Sequence, residues 1–316
     1  MLTGRVMRST GSWYDVLDEN SSTFYACRLI GKLKLDKENV TNPIAVGDLV
    51  EFELENEKQG IIKKVLPRKN YIARQSPKSK WHIHILACNI DQAILITSIC
   101  EPPLKPGFID RFILTTEPQN IPVLIIFNKR DLYGDREKEI FEEQKLVYTK
   151  IGYEVMAVSA RINYGISELR DKLTDKISLF SGQSGVGKST ILNGVEPDLI
   201  LRTGDISDYS GKGTHTTTFA QMFLIKENTY LIDTPGIKTL NFNNLEVMDV
   251  AHNFREFFEV SSKCKFGSQC THRDEPECEV KNLLDQGVLS EIRYRNYLNI
   301  LEEIEAQNYW ERSKKY

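Results

Sequence analysis

The sequence predicts a multidomain chain in three parts. An N-terminal all-β barrel of the OB type comes first, then an α/β domain built on a P-loop, then a helical domain that binds zinc. Three observations predict this. Short runs alternating apolar with polar residues fill residues 1 to about 70. Strand-length apolar runs then alternate with helix-period stretches around the octapeptide Gly182-Gln183-Ser184-Gly185-Val186-Gly187-Lys188-Ser189. The remainder is helical and polar apart from a cluster of Cys264, Cys270, His272 and Cys278. The expected boundaries are 1–70, 71–240 and 241–316.

In the N-terminal part the expected strands begin at Gly4, Trp13, Thr23, Asp48 and Gly60. Turn-rich pieces such as Asn42-Pro-Ile-Ala-Val-Gly47 lie between them. Five short strands in this length suit a small barrel; an SH3-like barrel fits the periodicity nearly as well as the OB type. Residues 1–80 carry 14 basic against 10 acidic side chains, whereas residues 241–316 carry 10 against 14. Lys58, Lys63, Lys64, Arg68, Lys69, Arg74, Lys78 and Lys80 follow one another without a carboxylate up to Ile90, with Tyr71, Trp81, His82 and His84 among them. Such a run is either a solvated face or a nucleic-acid contact. No apolar stretch reaches membrane-spanning length and the N-terminus has no signal-like apolar core, so a cytoplasmic location is expected, with no membrane and a monomer as the default.

From about residue 85 the expected strands are 91–97, 122–127, 153–158, 177–180, 219–225 and 229–233, with helices over 108–116, 136–151 and 166–173. Strand, G-x-x-x-x-G-K-S loop and helix follow in the order a phosphate cradle requires. Glycines let backbone N–H groups turn onto phosphate oxygens at a helix N-terminus. Lys188 would reach the β- and γ-phosphates, the Ser189 hydroxyl would meet Mg²⁺, and the run from Thr190 to Asn193 can open the helix.

The other strand ends supply what such a loop needs. Asn128-Lys129-Arg130-Asp131 follows one strand, and a carboxylate at Asp131 can accept both N–H groups of the guanine edge. The Lys129 stem can cover the purine face, and Asn128 can pin the loop. Ser159-Ala160 can offer a backbone N–H to the guanine carbonyl. Asp233-Thr-Pro-Gly236 places a second magnesium ligand and a γ-phosphate sensor at the last strand. Ordinary GTPases place the P-loop first and N-K-x-D late; here N-K-x-D precedes the P-loop, so the α/β domain is a circularly permuted P-loop GTPase domain.

Within Gly211-Lys-Gly-Thr-His-Thr-Thr-Thr218, Thr217 is favoured over Thr216 to close over Mg²⁺ and the γ-phosphate; the rival reading is a plain loop that begins the next strand. Ile237 stands where Ras-type enzymes carry a water-positioning Gln, so intrinsic hydrolysis should be slow, with His215 the nearest candidate to orient water. The spacing Cys264-x5-Cys270-x-His272-x5-Cys278 offers three thiolates and an imidazole, a closed set suited to one structural Zn²⁺. Residues 289–311 alternate apolar and charged positions at helical spacing.

With its motifs in this order, the chain resembles the RsgA (YjeQ/YloQ) family of circularly permuted bacterial GTPases over nearly its whole length. The resemblance implies an OB barrel, a permuted GTPase domain and a zinc domain. It implies GTP and GDP contacts from Asn128 to Asp131 and from Gly182 to Thr190, with zinc at the three cysteines and His272. It further implies a GTPase that acts in late maturation of the small (30S) ribosomal subunit, is stimulated by that subunit and binds its rRNA. An apolar residue after D-x-x-G and a His beside the Thr run agree with the family at Ile237 and His215; the Cys264–Cys270 spacing is a little longer than its pattern. Two rival readings stay open: an RNA-binding module with a static nucleotide switch, and a nucleotide-gated chaperone for metal delivery.

Overall fold

The computed structural model describes residues 1–29, 40–76, 79–197, 220–234 and 245–312. The N-terminal strands are β1 (Leu2–Ser9), β2 (Trp13–Asp18), β3 (Phe24–Leu29), β4 (Leu49–Leu54) and β5 (Gln59–Val65). They pair in the order β1-β2-β3-β5-β4, and β4 closes on β1. Every pairing is antiparallel except β3 with β5. That closure is the OB arrangement, so the barrel type left open by periodicity is settled. Val6, Tyr14, Val16, Cys27, Ile44, Val50, Phe52 and Ile62 fill the interior. Gly4 is required there, because a Cβ would lie 2.6 Å from a Val16 methyl.

A hairpin of β6 (Tyr71–Ser76) and β7 (Ser79–Cys88) follows, which the sequence reading did not separate from its basic run. It is welded to the barrel by charge as well as packing. Arg68 grips the fully buried Asp48 with two nitrogens at 2.7 Å each, and the Cys88 thiol donates to the same carboxylate at 3.0 Å. Burial and that carboxylate push the Cys88 thiol well up from its ordinary range. Lys63 and Lys69 form exposed ion pairs with Glu53 and Asp91, so part of the basic run is matched by carboxylates of the same chain. Lys58, Lys64 and Arg74 are exposed and have no ion pair among the described residues.

The central strands are β8 (Gln92–Ser98), β9 (Val123–Asn128), β10 (Glu154–Ala157), β11 (Ile177–Gly182), β12 (Gln221–Lys226) and β13 (Thr229–Asp233). Their order is β10-β9-β8-β11-β13-β12, parallel except at β12. The exposed edge that β12 would present is covered, since Arg8 of β1 pairs with Gln221 and joins the barrel to the sheet. Strands β8, β9 and β11 are buried along their whole length, which is why they read as continuous apolar runs. On one face lie α1 (Phe108–Thr116) and α2 (Asp135–Lys150); on the other lie α3 (Ile166–Leu173) and α4 (Lys188–Val195). Each fully buried Ile, Leu or Phe of these layers contributes about 1.5–3 kcal/mol relative to exposure.

The C-terminal helices are α5 (Val247–Asn253), α6 (Arg255–Ser261), α7 (Glu279–Asp285) and α8 (Glu291–Arg312). Helix α8 buries Arg293, Asn296, Tyr297, Ile300, Leu301 and Ile304, the helical spacing expected of its amphipathic sequence. Leu114 of α1 belongs to the same apolar cluster, so this unit is docked on the central domain. Charge completes the dock: Arg293 of α8 bridges Glu256 of α6 and Asp110 of α1.

Candidate nucleotide site and metal centre

The parallel sheet brings four strand ends to one edge, where ligands of such sheets bind. Asn128 is the last residue of β9, Ser159 follows β10, the glycine-rich loop follows β11, and Asp233 ends β13. Three glycines shape the loop. Gly185 and Gly187 take φ values of +84° and +90°, and a Cβ on Gly182 would stand 2.4 Å from the Ile96 carbonyl oxygen. Gly187 also lets the loop approach the N-K-x-D segment, since its Cβ would sit 2.3 Å from Asn128 Nδ2.

That approach is held by one bond. Asn128 is buried and its Nδ2 donates to the Val186 carbonyl at 2.8 Å, tying the base loop to the phosphate loop. Asn128 Oδ1 is buried with no partner among the described residues, a spare acceptor beside the loop junction. The Tyr133 hydroxyl donates to the Asn128 carbonyl at 3.3 Å. Lys129 sits in the left-handed region at φ +65° and donates to the carbonyl of Glu101. Asp131 Oδ1 accepts from the buried Ser159 hydroxyl at 2.5 Å, so the two loops that would read a base edge are locked together. The Ser159 N–H is spent on Tyr164 O at 2.9 Å, which leaves the Ala160 N–H as the available backbone donor of that pair among the described residues.

At the phosphate end, Lys188 opens α4 and its ammonium donates to Asp233 Oδ1 at 2.5 Å and to Thr234 O at 3.0 Å. Gln183 is half-buried, whereas Ser184, Ser189 and Thr190 are exposed along the loop and first turn of α4, and Val186 is buried beneath them. The structure therefore brings together Asn128, Lys129, Asp131, Ser159, Ala160, the loop from Gly182 to Thr190, and Asp233. His215, Thr216, Thr217, Gly236 and Ile237 lie outside the described residues. Sequence reasoning missed Glu101 and Thr234. Glu101 acts through its backbone carbonyl, which leaves no trace in residue type; Thr234 lies inside the D-x-x-G motif, where only Asp and Gly were weighed.

Cys264, Cys270, His272 and Cys278 are all buried, with one ligand atom from each within 4.8 Å of the others. Zinc bonds of about 2.3 Å to sulfur and about 2.05 Å to nitrogen give tetrahedral edges of about 3.8 Å between sulfurs and about 3.6 Å from sulfur to nitrogen. The Cys270–Cys278 sulfurs are 3.8 Å apart, and His272 Nδ1 lies 3.7 Å from the Cys264 sulfur and 3.5 Å from that of Cys278. The donor set fits zinc. Burial pushes the His272 imidazole toward its neutral, ligating form. Hydrogen bonds frame the cluster: the Glu279 N–H points at the Cys264 sulfur at 3.3 Å, and the Tyr294 and Tyr297 hydroxyls donate to the His272 and Thr271 carbonyls at 2.7 Å each.

Fold and site together define a circularly permuted P-loop protein of the GTPase class, flanked by an OB barrel and a Cys₃His unit. A family model described as RsgA GTPase matches residues 65–243, and one described as RsgA N-terminal domain matches residues 3–62. The chain belongs to the RsgA GTPase family. A protein of Phocaeicola vulgatus called "Small ribosomal subunit biogenesis GTPase RsgA" is 44% identical over 308 residues, covering 98% of this chain and 99% of the relative. A Bacteroides thetaiotaomicron protein, "Small ribosomal subunit biogenesis GTPase RsgA 2", is 42% identical with the same coverage. Among solved structures, YjeQ from Thermotoga maritima superposes with a TM-score of 0.77 at 32% identity, over 96% of this chain and 98% of that one. YloQ, described as a circularly permuted GTPase, gives 0.76 at 28% identity, over 97% and 96%.

Proposed function

We propose that this chain hydrolyses GTP to GDP and phosphate in late maturation of the small ribosomal subunit, with turnover slow alone and raised by that subunit. The observation that carries the reading is the convergence of a base-reading pair, Asp131 with Ser159, and a phosphate-reading pair, Lys188 with Asp233, at one sheet edge. Asp131 and the Ala160 N–H would select guanine, Asn128 and Lys129 would frame it, and residues Gly182 to Thr190 would cradle the phosphates. Magnesium, when bound, neutralises charge on the phosphates; Ser189, Asp233 and Thr217 are its proposed ligands, and Gly236 and His215 the proposed sensor and water-orienting groups. One structural zinc is assigned to Cys264, Cys270, His272 and Cys278.

The barrel (1–70) and zinc domain (241–316) would grip ribosomal RNA around the GTPase domain (71–240), the exposed Lys58, Lys64 and Arg74 supplying part of the charge. No helix among the described residues is long and apolar enough to cross a membrane. We place the protein in the cytoplasm as a monomer. The test is equilibrium binding of GDP, GTP, ADP and ATP to the whole chain and to Lys188→Ala. Guanine-only binding, lost in the variant, supports the reading; equal affinity for adenine nucleotides overturns it.

A further inference from the structure

Of the four residues in the Cys₃His cluster, His272 alone has its backbone in the left-handed region, at φ +57°. A residue with a Cβ rarely stays there unless its surroundings hold it. One carboxylate holds both flanks. Glu275 Oε1 accepts from the Thr271 N–H at 2.7 Å and from the Thr271 hydroxyl at 2.5 Å, and Oε2 accepts from the Arg273 N–H at 2.8 Å. The carboxylate therefore spans the residue before His272 and the residue after it. The carbonyl side of the same turn is held from elsewhere, by the Tyr294 and Tyr297 hydroxyls of α8 on the His272 and Thr271 carbonyls. The buried imidazole stands edge-on to Phe257 with ring centres 6.2 Å apart. With its backbone fixed in this way, His272 Nδ1 lies 3.7 Å from the Cys264 sulfur and 3.5 Å from that of Cys278.

This inference rests on the zinc reading of the four ligands. We propose that Glu275 is a positioning residue for the metal: its carboxylate brackets His272 and holds it in the left-handed turn that aims the imidazole at the cysteine sulfurs. The chemistry of the bracket calls for a carboxylate. Both backbone groups it meets are donors, so two acceptor oxygens are needed, and an amide of the same shape would turn its own NH₂ on one of them. The spacing suits the role as well. Glu275 lies three residues after His272 and three before Cys278, so its side chain folds back inside the loop that the ligands close. The nearby Glu277 is placed differently, since its carboxylate pairs with Lys265 at 2.7 Å and its side chain is 73% exposed. Zinc affinity then depends on a residue that does not touch the metal, because the histidine arrives already turned toward it.

The experiment compares the full chain with Glu275→Gln, and with Glu277→Gln as a control that removes the same charge from the same loop. Zinc affinity is measured by competition with a chromophoric chelator. Glu275→Gln should bind zinc about 10- to 100-fold more weakly, the usual loss when the outer partner of a metal ligand is removed, and Glu277→Gln should bind as the unaltered chain does. Equal affinity in all three proteins, or an equal loss in both variants, overturns the bracket. A second readout is the visible absorption of each protein saturated with Co²⁺, which reports the ligand set and its geometry. The spectrum of Glu275→Gln should move toward that of His272→Ala. A role confined to stability would leave the saturated spectrum unmoved, and that result also overturns the bracket. If Glu275→Gln does not fold, Thr271→Val decides, since it removes one of the three donors and keeps the bulk: weaker zinc binding supports the bracket and unchanged binding overturns it. An unaltered chain that takes up neither metal fails the zinc reading itself, and the bracket with it.

Discussion

Arg293 is the largest fully buried side chain among the described residues, and replacing it with Met should loosen the dock between the C-terminal helices and the central domain. Its guanidinium donates to Glu256 with Nε at 2.8 Å and Nη2 at 3.0 Å, and to Asp110 with Nη1 at 2.5 Å. It also lies 4.2 Å over the Phe254 ring. Methionine keeps much of the volume, so the cavity cost is small. What remains is two buried carboxylates, Asp110 with no exposed surface and Glu256 at 7%, facing no cation. The Tyr148 hydroxyl at 2.7 Å and the Asn296 amide at 2.5 Å still serve Asp110, and neither carries charge.

Removing one partner of a buried ion network costs about 3–5 kcal/mol. At about 2–4 °C per kcal/mol for a unit of this size, the midpoint should fall by roughly 10 °C. The assay is differential scanning calorimetry of the whole chain, read at its first transition, since a multidomain chain need not unfold in one step. The triple change Arg293→Met, Glu256→Leu and Asp110→Asn should recover most of the loss, because no charge is then stranded. A fall of less than about 2 °C in Arg293→Met would mean that this ion network contributes little to the dock.

Three further outcomes are expected. Asp131→Asn should weaken guanine nucleotides roughly 100-fold, by loss of two charge-assisted hydrogen bonds, and improve binding of xanthine nucleotides, whose 2-oxo group accepts from an amide; competition binding checks both. The native chain should release one zinc per molecule on denaturation with a chromophoric chelator, and Cys270→Ser should lose the metal together with amide protection in α5–α8; a metal-free chain with unchanged protection would oppose this. His84 is held below the ordinary imidazole range by burial and by Arg74, so folding favours its neutral form. The unfolded chain therefore binds more protons just below the unfolded value of about 6.5, and stability falls as pH drops through that window; His84→Gln should flatten the change in melting temperature between pH 7 and 5.5.

Much of this molecule is legible in its sequence, for identifiable reasons. The P-loop, N-K-x-D and D-x-x-G motifs are local, each fixed by a strand end, so spacing alone places them. The cysteine and histidine ligands are scarce residue types, which makes their clustering visible. The hairpin at residues 71–88 is obscured in the sequence, because the alternation at Ile83, Ile85 and Ala87 is embedded in a run of basic residues. Arg68 reads as one more surface cation and turns out to be spent on Asp48, 20 residues away. The dock through Arg293 and Asp110 joins residues 183 apart, beyond any pattern in a single sequence. The joining of β1 to β12 likewise depends on two domains meeting.

The proposed function makes this chain a GTPase switched on by the small ribosomal subunit. GTP turnover by the whole chain, measured alone, with small subunits and with large subunits across a salt series, tests it most directly. The expected result is slow turnover alone, stimulation by the small subunit only, and stimulation that fades as salt rises. Equal slow turnover in every mixture would contradict it.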